Sequence, residues 1–221
     1  MEFNFDYFFS VMPGLLKKIP ITLLLGVISY ILALVLGVVL SLIQKSKMKV
    51  LNKIVKIYIS FFRSTPYIAQ LFIFYFGLPQ LFESLKLITA AQALVISLAM
   101  NSSAFISEVI RGNIMSVDRG QMEAGLSLNM SKFDIYLRVI FPQALVSAIP
   151  SLGNAFINII KGTSMGFTIG VVELLSQAKI GASNSYKFLE SYVAVGLVYW
   201  MIVIIIDKCQ NNLERYVGRY L

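Results

Sequence analysis

From Ile21 to Ile43 the chain reads ITLLLGVISYILALVLGVVLSLI, without one charged residue. A helix rises about 1.5 Å per residue, so roughly 20 such residues cross about 30 Å of hydrocarbon. The run is longer than the apolar core of a signal peptide, about 7 to 15 residues, and no small-residue cleavage pattern follows it. It is therefore expected to remain in the mature protein as a transmembrane helix. The composition agrees. A chain of 221 residues that is 57% hydrophobic and 14% charged, with a mean hydropathy of +0.77, carries more apolar surface than one soluble core can hide.

The same composition narrows the chemistry. There is no histidine, which removes the commonest metal ligand, proton shuttle and general base, and Cys209 as the only cysteine rules out an intrachain disulfide. No catalytic residue and no metal site are expected. No GxxxxGK[ST] phosphate loop occurs either, so the chain is not expected to bind ATP itself. The net charge of +8 reads as the excess of Lys and Arg that membrane proteins keep in cytoplasmic loops, not as a nucleic-acid surface.

Charge also orients the chain. QKSKMKVLNK, with Lys45, Lys47, Lys49 and Lys53, follows the first span and marks a cytoplasmic loop. The N-terminus is then outside, with residues 1–20 an outer amphipathic segment, although Lys17 and Lys18 depart from the charge rule. Further spans are expected over 54–76, 87–110, 139–160 and 192–206, with a cytoplasmic segment over 112–138, all in one transmembrane domain of residues 1–221. The fourth stretch carries Pro142, Pro150 and Gly153 and is expected to be an interrupted helix, followed by an apolar run, FTIGVVELL, and a polar loop. Lys208, Arg215 and Arg219 place the C-terminus inside, as five spans require.

The stretch from Gly120 to Ala144, GQMEAGLSLNMSKFDIYLRVIFPQA, is the polar exception. Met122, Leu126, Phe133, Leu137 and Ile140 recur at helical spacing and are expected on one face. The middle breaks the pattern. Asn129 tolerates the left-handed conformation that ends a helix, and Ser131 with Asp134 forms an acidic variant of the capping box. The segment therefore reads as two short helices joined by a turn, either resting on the membrane surface or serving a partner.

Its residues resemble the EAA signature of ABC-importer permeases: EAA, three residues, Gly, nine residues, Ile, any residue, Leu, Pro. Glu123, Ala124 and Pro142 match, while Gly125, Asn129, Val139 and Phe141 stand in for Ala, Gly, Ile and Leu. FFRSTPYIAQLFIFYFGLP, SLAMNSSAFISEVIRGNIMSVDRGQMEAG and IPSLGNAFINIIKGTSMGFTIGVVEL are likewise similar to segments of polar amino acid permeases, and the likeness covers roughly residues 19–200. It implies an all-α membrane protein with the type I ABC importer transmembrane fold, about five spans and a cytoplasmic coupling helix. It further implies that Arg119, Gly120, Glu123, Ala124, Gly125, Asn129 and Ser131 contact a separate ATPase subunit, which holds ATP and Mg. The remaining partners it implies are an extracytoplasmic amino-acid-binding protein and a second permease copy or homologue, in a bacterial cytoplasmic membrane. KGTSMGFTIGVVELL and YVAVGLVYW are similar to segments of cystine permeases, so cystine or a related polar or sulfur amino acid is the implied cargo. A secondary transporter or channel subunit for small polar solutes is the alternative class.

Polar residues inside spans are costly and usually face the bundle interior or a water-filled path. On that ground Asn101, Ser102, Asn154, Asn158, Lys161, Thr163 and Ser164 are the candidate pathway residues; interhelical hydrogen bonding is the alternative for each. An interruption at Pro150 and Gly153 would free backbone groups for a zwitterion. Pro66 argues for a kink in the second span. Arg63 either snorkels to the cytoplasmic interface or caps carbonyls near an inner gate.

Overall fold

The computed structural model describes residues 3–46 and 48–218; Lys47 and Arg219 lie outside the described residues. Those residues are nearly all helical. Helix α1 (Phe5–Leu16) leads into α2 (Ile19–Lys45), then α3 (Lys49–Ser64), the short helices α4 (Tyr67–Phe72) and α5 (Leu78–Leu81), and α6 (Ala90–Ser116). After α7 (Arg119–Ser127) and α8 (Lys132–Ile135) come α9 (Phe141–Gly162), α10 (Leu174–Ser185) and α11 (Phe188–Val217). Among the described residues, four helical stretches are long and apolar enough to cross a membrane: 19–45, 90–116, 132–169 and 188–217.

Small residues hold these helices together. The buried face of α2 is Thr22, Leu25, Gly26, Ser29, Ala33, Gly37, Leu40 and Ser41, spaced by three or four or adjacent. In lipid the hydrophobic effect does not drive helices together, so close approach over small side chains does the work. At Gly37 a Cβ would collide with Ile106, and at Gly26 with Ile160. Leu24, Ile28, Ile31, Val35 and Leu42 are left exposed on the opposite face, as a lipid-facing surface requires.

Contacts fix the helix directions. Gly37 meets Ser103 and Ile106, while Ser41 and Lys45 share a cleft with Ile110 and Ile114, so α2 and α6 run side by side in one direction. The intervening chain must therefore recross the thickness. It does so in pieces. Helix α3 stops at Ser64, Thr65 is extended (φ −113, ψ 148), and Pro66 caps α4. A π-turn over Ile73–Gly77 and α5 complete the crossing. The span expected over 54–76 is thus not one helix. Its break sits where the residue before a proline disfavours the α conformation.

The interruption expected at Pro150 and Gly153 is absent: α9 is continuous from Phe141 to Gly162. Pro142 falls in its first turn, where no N–H donor is required. A π-turn over Tyr136–Ile140 precedes that proline, just as one precedes Pro79. In each case the following glutamine closes the wide turn, Gln80 Nε2 donating to the Phe76 carbonyl and Gln143 Nε2 to the Val139 carbonyl, both at 3.0 Å. Gly153 serves another purpose, since the Gln210 side chain occupies the place of its missing Cβ.

Helix α10 replaces the expected polar loop. Gly170 turns the chain in the left-handed conformation (φ 89), and Glu173 caps the helix by accepting from the Ser176 N–H at 3.0 Å. The Leu174 N–H donates to Thr22 Oγ1 at 3.3 Å, tying this turn to α2. Helix α11 returns antiparallel to α9: Tyr199 donates to Glu173 near one end, and Gln210 donates to the Pro150 carbonyl near the other. Asn4 N–H donates to Glu190 at the start of α11, so α1 and the C-terminal end of α11 lie at opposite ends of the bundle.

Candidate functional site: a coupling segment and two polar helix faces

The segment at 119–140 is built from caps. Asp118 accepts from the Gly120 N–H at 2.6 Å and starts α7, a role the sequence reading had not assigned. The helix closes with the Asn129 N–H on the Leu126 carbonyl (2.9 Å) and the Met130 N–H on the Gly125 carbonyl (3.0 Å), with Asn129 left-handed at φ 59. That is a Schellman closure with asparagine in the usual glycine place. Ser131 then caps α8 by accepting from the Asp134 N–H at 3.1 Å.

Packing between the two short helices rests on Gly125 and Ile135, both buried; a Cβ on Gly125 would lie 2.6 Å from Ile135. The room that Gly125 needs is therefore taken by its own chain. Leu126, Phe133 and Leu137, expected on one face, are all exposed. Arg119, Gly120, Glu123, Ala124, Asn129 and Ser131 are exposed as well. The Glu123 carboxylate does not cap its own helix, since Asp118 holds that place.

The expected pathway residues separate into two groups. Asn154, Asn158 and Lys161 line up on α9 at spacings of four and three, and all are exposed. Ser147 and Ser151, which the sequence reading passed over, extend the same stripe. Following a 3.6 period through Pro150 would have found them; expecting a broken helix hid the period. None of Asn154, Asn158 and Lys161 makes a side-chain hydrogen bond within the described residues. Ser164 is half-buried and donates to the Lys161 carbonyl at 2.6 Å.

Asn101 and Thr163 are already engaged. Asn101 Nδ2 donates to the Phe62 carbonyl (3.1 Å) and to Gln70 Oε1 (2.9 Å). Gln70 Nε2 in turn donates to the Phe62 and Thr65 carbonyls, both at 3.1 Å, and to Thr65 Oγ1 at 2.7 Å. These two amides close the break before Pro66. Thr163, fully buried, donates to the Ile160 carbonyl. Ser102 is half-buried on α6 beside Asn101.

Arg63 donates to no backbone carbonyl among the described residues. Its guanidinium reaches back along α3 to within 3.8 Å of Glu108 Oε2, a carboxylate already bound by Arg111 at 2.7 Å. Glu173, fully buried, lies in the stretch between α9 and α11. Burial pushes its carboxyl up, opposed by the Tyr199 hydroxyl at 2.7 Å and by the Ser176 N–H.

A membrane bundle with a polar stripe and a capped polar segment is an arrangement with known relatives. Residues 30–219 match the model of the family described as the binding-protein-dependent transport system inner membrane component. This chain belongs to that family. The probable amino-acid permease protein YxeN of Bacillus subtilis is 43% identical over 98% of this chain and 96% of its own. The probable amino-acid ABC transporter permease protein PatM of Vibrio harveyi is also 43% identical, over 99% and 98%. Among solved structures, an amino acid ABC transporter crystallised with histidines aligns at a TM-score of 0.90 with 32% identity, covering 98% of this chain and all of that one. The protein is thus a membrane-spanning permease subunit of an amino-acid ABC importer, and the secondary-transporter alternative is set aside.

Proposed function

We propose that this permease carries cystine or a related polar or sulfur amino acid, and that it does so paired with a second copy or a homologue. The exposed stripe Ser147, Ser151, Asn154, Asn158 and Lys161 carries this reading. It runs about 21 Å along α9, and a stripe of that polarity turned to lipid is strongly disfavoured. Facing a second permease across a wet path removes the cost and offers amide donors and acceptors, with one cation, to a zwitterion.

The cystine preference is supported by the L-cystine permeases TcyL and TcyB of Bacillus subtilis, 34% and 36% identical over 98% and 94% of this chain. The arginine permease ArtQ of the same organism, at 34%, is the relevant competitor. Energy comes from a separate ATPase subunit that holds ATP and Mg, docked on Arg119, Glu123 and Ala124; an extracytoplasmic binding protein delivers the amino acid. Lys45, Lys49 and Lys53 lie at the same end of the bundle as Lys208, Arg215 and the α7–α8 segment. Charge assigns that end to the cytoplasm and α1 to the outside.

Uptake into proteoliposomes carrying the permease, its ATPase and its binding protein tests this, with cystine, arginine and glutamine compared. Cystine is expected to be taken up fastest, and Asn158→Leu with Lys161→Leu to slow uptake without releasing the ATPase. Fastest uptake of arginine would reject the cystine preference. Normal uptake in both variants would reject the α9 path.

A further inference from the structure

Helix α2 turns a row of apolar side chains outward: Ile28, Ile31, Val35, Val38 and Leu42, spaced by three or four and all exposed. Lys45 continues the row three residues past Leu42, where the apolar run has ended. Over Val38, Leu42 and Lys45 the surface is no longer open. There the row becomes one wall of a cleft of about 570 Å³, closed by Ile114 of α6 and by Phe133, Leu137 and Phe141 across from it. These last three recur every four residues and are exposed, so the second wall is as apolar as the first.

Charge sits at one end only. Lys45 is the single charged residue in the lining, and it makes no ion pair among the described residues. Its Nζ stands 5.0 Å from the centre of the Tyr136 ring, which holds the ammonium over the mouth of the cleft. Asp134, the acid on the facing wall, is taken by Arg138 at 3.5 Å. Because Lys45 is the last residue of α2, the mouth lies at headgroup level, and the cleft runs about 10 Å from there into the apolar layer, as far as Val38. An apolar slot with one ammonium at its headgroup end complements an anion that carries a hydrocarbon tail. A second copy of this chain fits less well, since the cleft continues the lipid-facing row of α2, whereas the polar stripe that needs a partner lies on α9.

We propose that this cleft binds an anionic phospholipid, with the phosphate on Lys45 and one acyl chain between α2, α6 and residues 133–141. The site is independent of the cargo and rests on the orientation proposed above only for its leaflet, the cytoplasmic one. Residues 133–141 join the coupling segment to α9, so the bound lipid ties that segment to α2 and α6.

The test uses the permease–ATPase complex in phosphatidylcholine nanodiscs containing a trace of phosphatidylglycerol or phosphatidylcholine with a diazirine in its acyl chain. After illumination the labelled residues are mapped, and labelling over 24–35 gives the level for ordinary surrounding lipid. Normalised to that level, phosphatidylglycerol is expected to label 38–45 and 133–141 about fivefold more than phosphatidylcholine does. Lys45→Gln should make the two lipids equal, while Lys45→Arg and Lys49→Gln, the latter outside the cleft, should keep the preference. Leu42→Trp, which fills the slot, should lower labelling by both. Equal labelling in the wild type would mean passing lipid only. A preference that survives Lys45→Gln, or that Lys49→Gln abolishes as well, would mean diffuse surface charge. No label in the cleft while 24–35 is labelled would mean that a second copy or another chain covers it. Each of these results overturns the proposal. Nanodiscs expose both leaflets, so an inverted orientation leaves these outcomes unchanged. It is read separately from Cys209, an exposed thiol near the C-terminal end of α11. Reaction with a membrane-impermeant maleimide added outside intact cells would move the site to the other leaflet without removing it.

Discussion

Two helices in this permease stop at a turn, and they are closed by different means. At the end of α7 the backbone does the work: Asn129 turns left-handed, and the Asn129 and Met130 N–H groups return to the Leu126 and Gly125 carbonyls. At the end of α3 side chains do it, with Gln70 and Asn101 donating to the Phe62 and Thr65 carbonyls. The surroundings explain the difference. Most residues of the α7 end are exposed, so water satisfies whatever the turn leaves over. The α3 end lies level with the middle of α6, where no bulk water is available and each orphan backbone group costs several kcal/mol, to about this order. A broken helix at that depth has to recruit donors from its neighbours.

The most damaging way to break this comparison is Gln70→Leu. The glutamine is 4% exposed and makes three of the bonds that close the break. Its loss strands the Thr65 carbonyl and leaves Phe62 with Asn101 alone. Unsatisfied buried groups cost about 1 to 3 kcal/mol each, so the variant should melt well below wild type in detergent and should lose uptake. An unchanged melting temperature would mean that the break is not held from Gln70.

Asn101→Leu should cost less, because Phe62 keeps its bond from Gln70 and only the Gln70 oxygen is left without a donor. About 1 kcal/mol is expected, of the order of one net hydrogen bond. The two substitutions act on one network, so the double variant should cost less than the sum of the singles. Strict additivity in the melting temperatures would separate the two amides into independent contacts.

What was legible in the sequence divides along the same line. The uncharged run of α2, the two-helix reading around Asn129 and the Ser131 cap are local properties, written in adjacent residues and present in the structure as expected. The kink at Pro66 was legible too. Its closure was not, because Asn101 lies 39 residues from Phe62 in the chain, and nothing local distinguishes a pathway asparagine from one that closes a distant helix end. Pro150 misled for the converse reason. A proline signals a break only where neighbours do not hold the helix together, and α9 is packed along α6, α2 and α11. Expecting a break there concealed the periodic stripe of Ser147, Ser151, Asn154, Asn158 and Lys161. Gly125 gave a clear signal, a small residue beside the motif; which surface needed the room, Ile135 and not a partner, became visible only in the packing.

The water-exposed end should yield a smaller effect with a diagnostic pattern. In Asn129→Ala the left-handed residue carries a Cβ without the polar side chain that makes the conformation tolerable, at a cost of roughly 1 kcal/mol. Asn129→Gly should be neutral or slightly stabilising, since glycine occupies that region without penalty. Hydrogen exchange of the Met130 amide reports the closure directly: faster exchange in Asn129→Ala and unchanged exchange in Asn129→Gly are expected. Faster exchange in both would show that the asparagine side chain, and not its backbone angle, holds the turn.

The smallest effect is expected at Pro150, and it sharpens the comparison most. If a proline by itself made a working break in this bundle, Pro150→Ala would straighten a functional kink and uptake would collapse. The structure has no break there to close, for α9 passes through Pro150 without interruption. Alanine restores an N–H that can reach the Val146 carbonyl, which favours the folded helix, while removing proline lets the unfolded chain sample more conformations, which opposes it. The two terms offset, and a change within about 0.5 kcal/mol is expected, the size typical of substitutions that touch no special feature. The Gln210 bond to the residue-150 carbonyl survives, because it uses the carbonyl and not the ring. Melting temperature and uptake of Pro150→Ala should therefore both match wild type. A tenfold fall in uptake with normal melting would make Pro150, and not the Thr65–Pro66 break, the point where this helix bundle flexes.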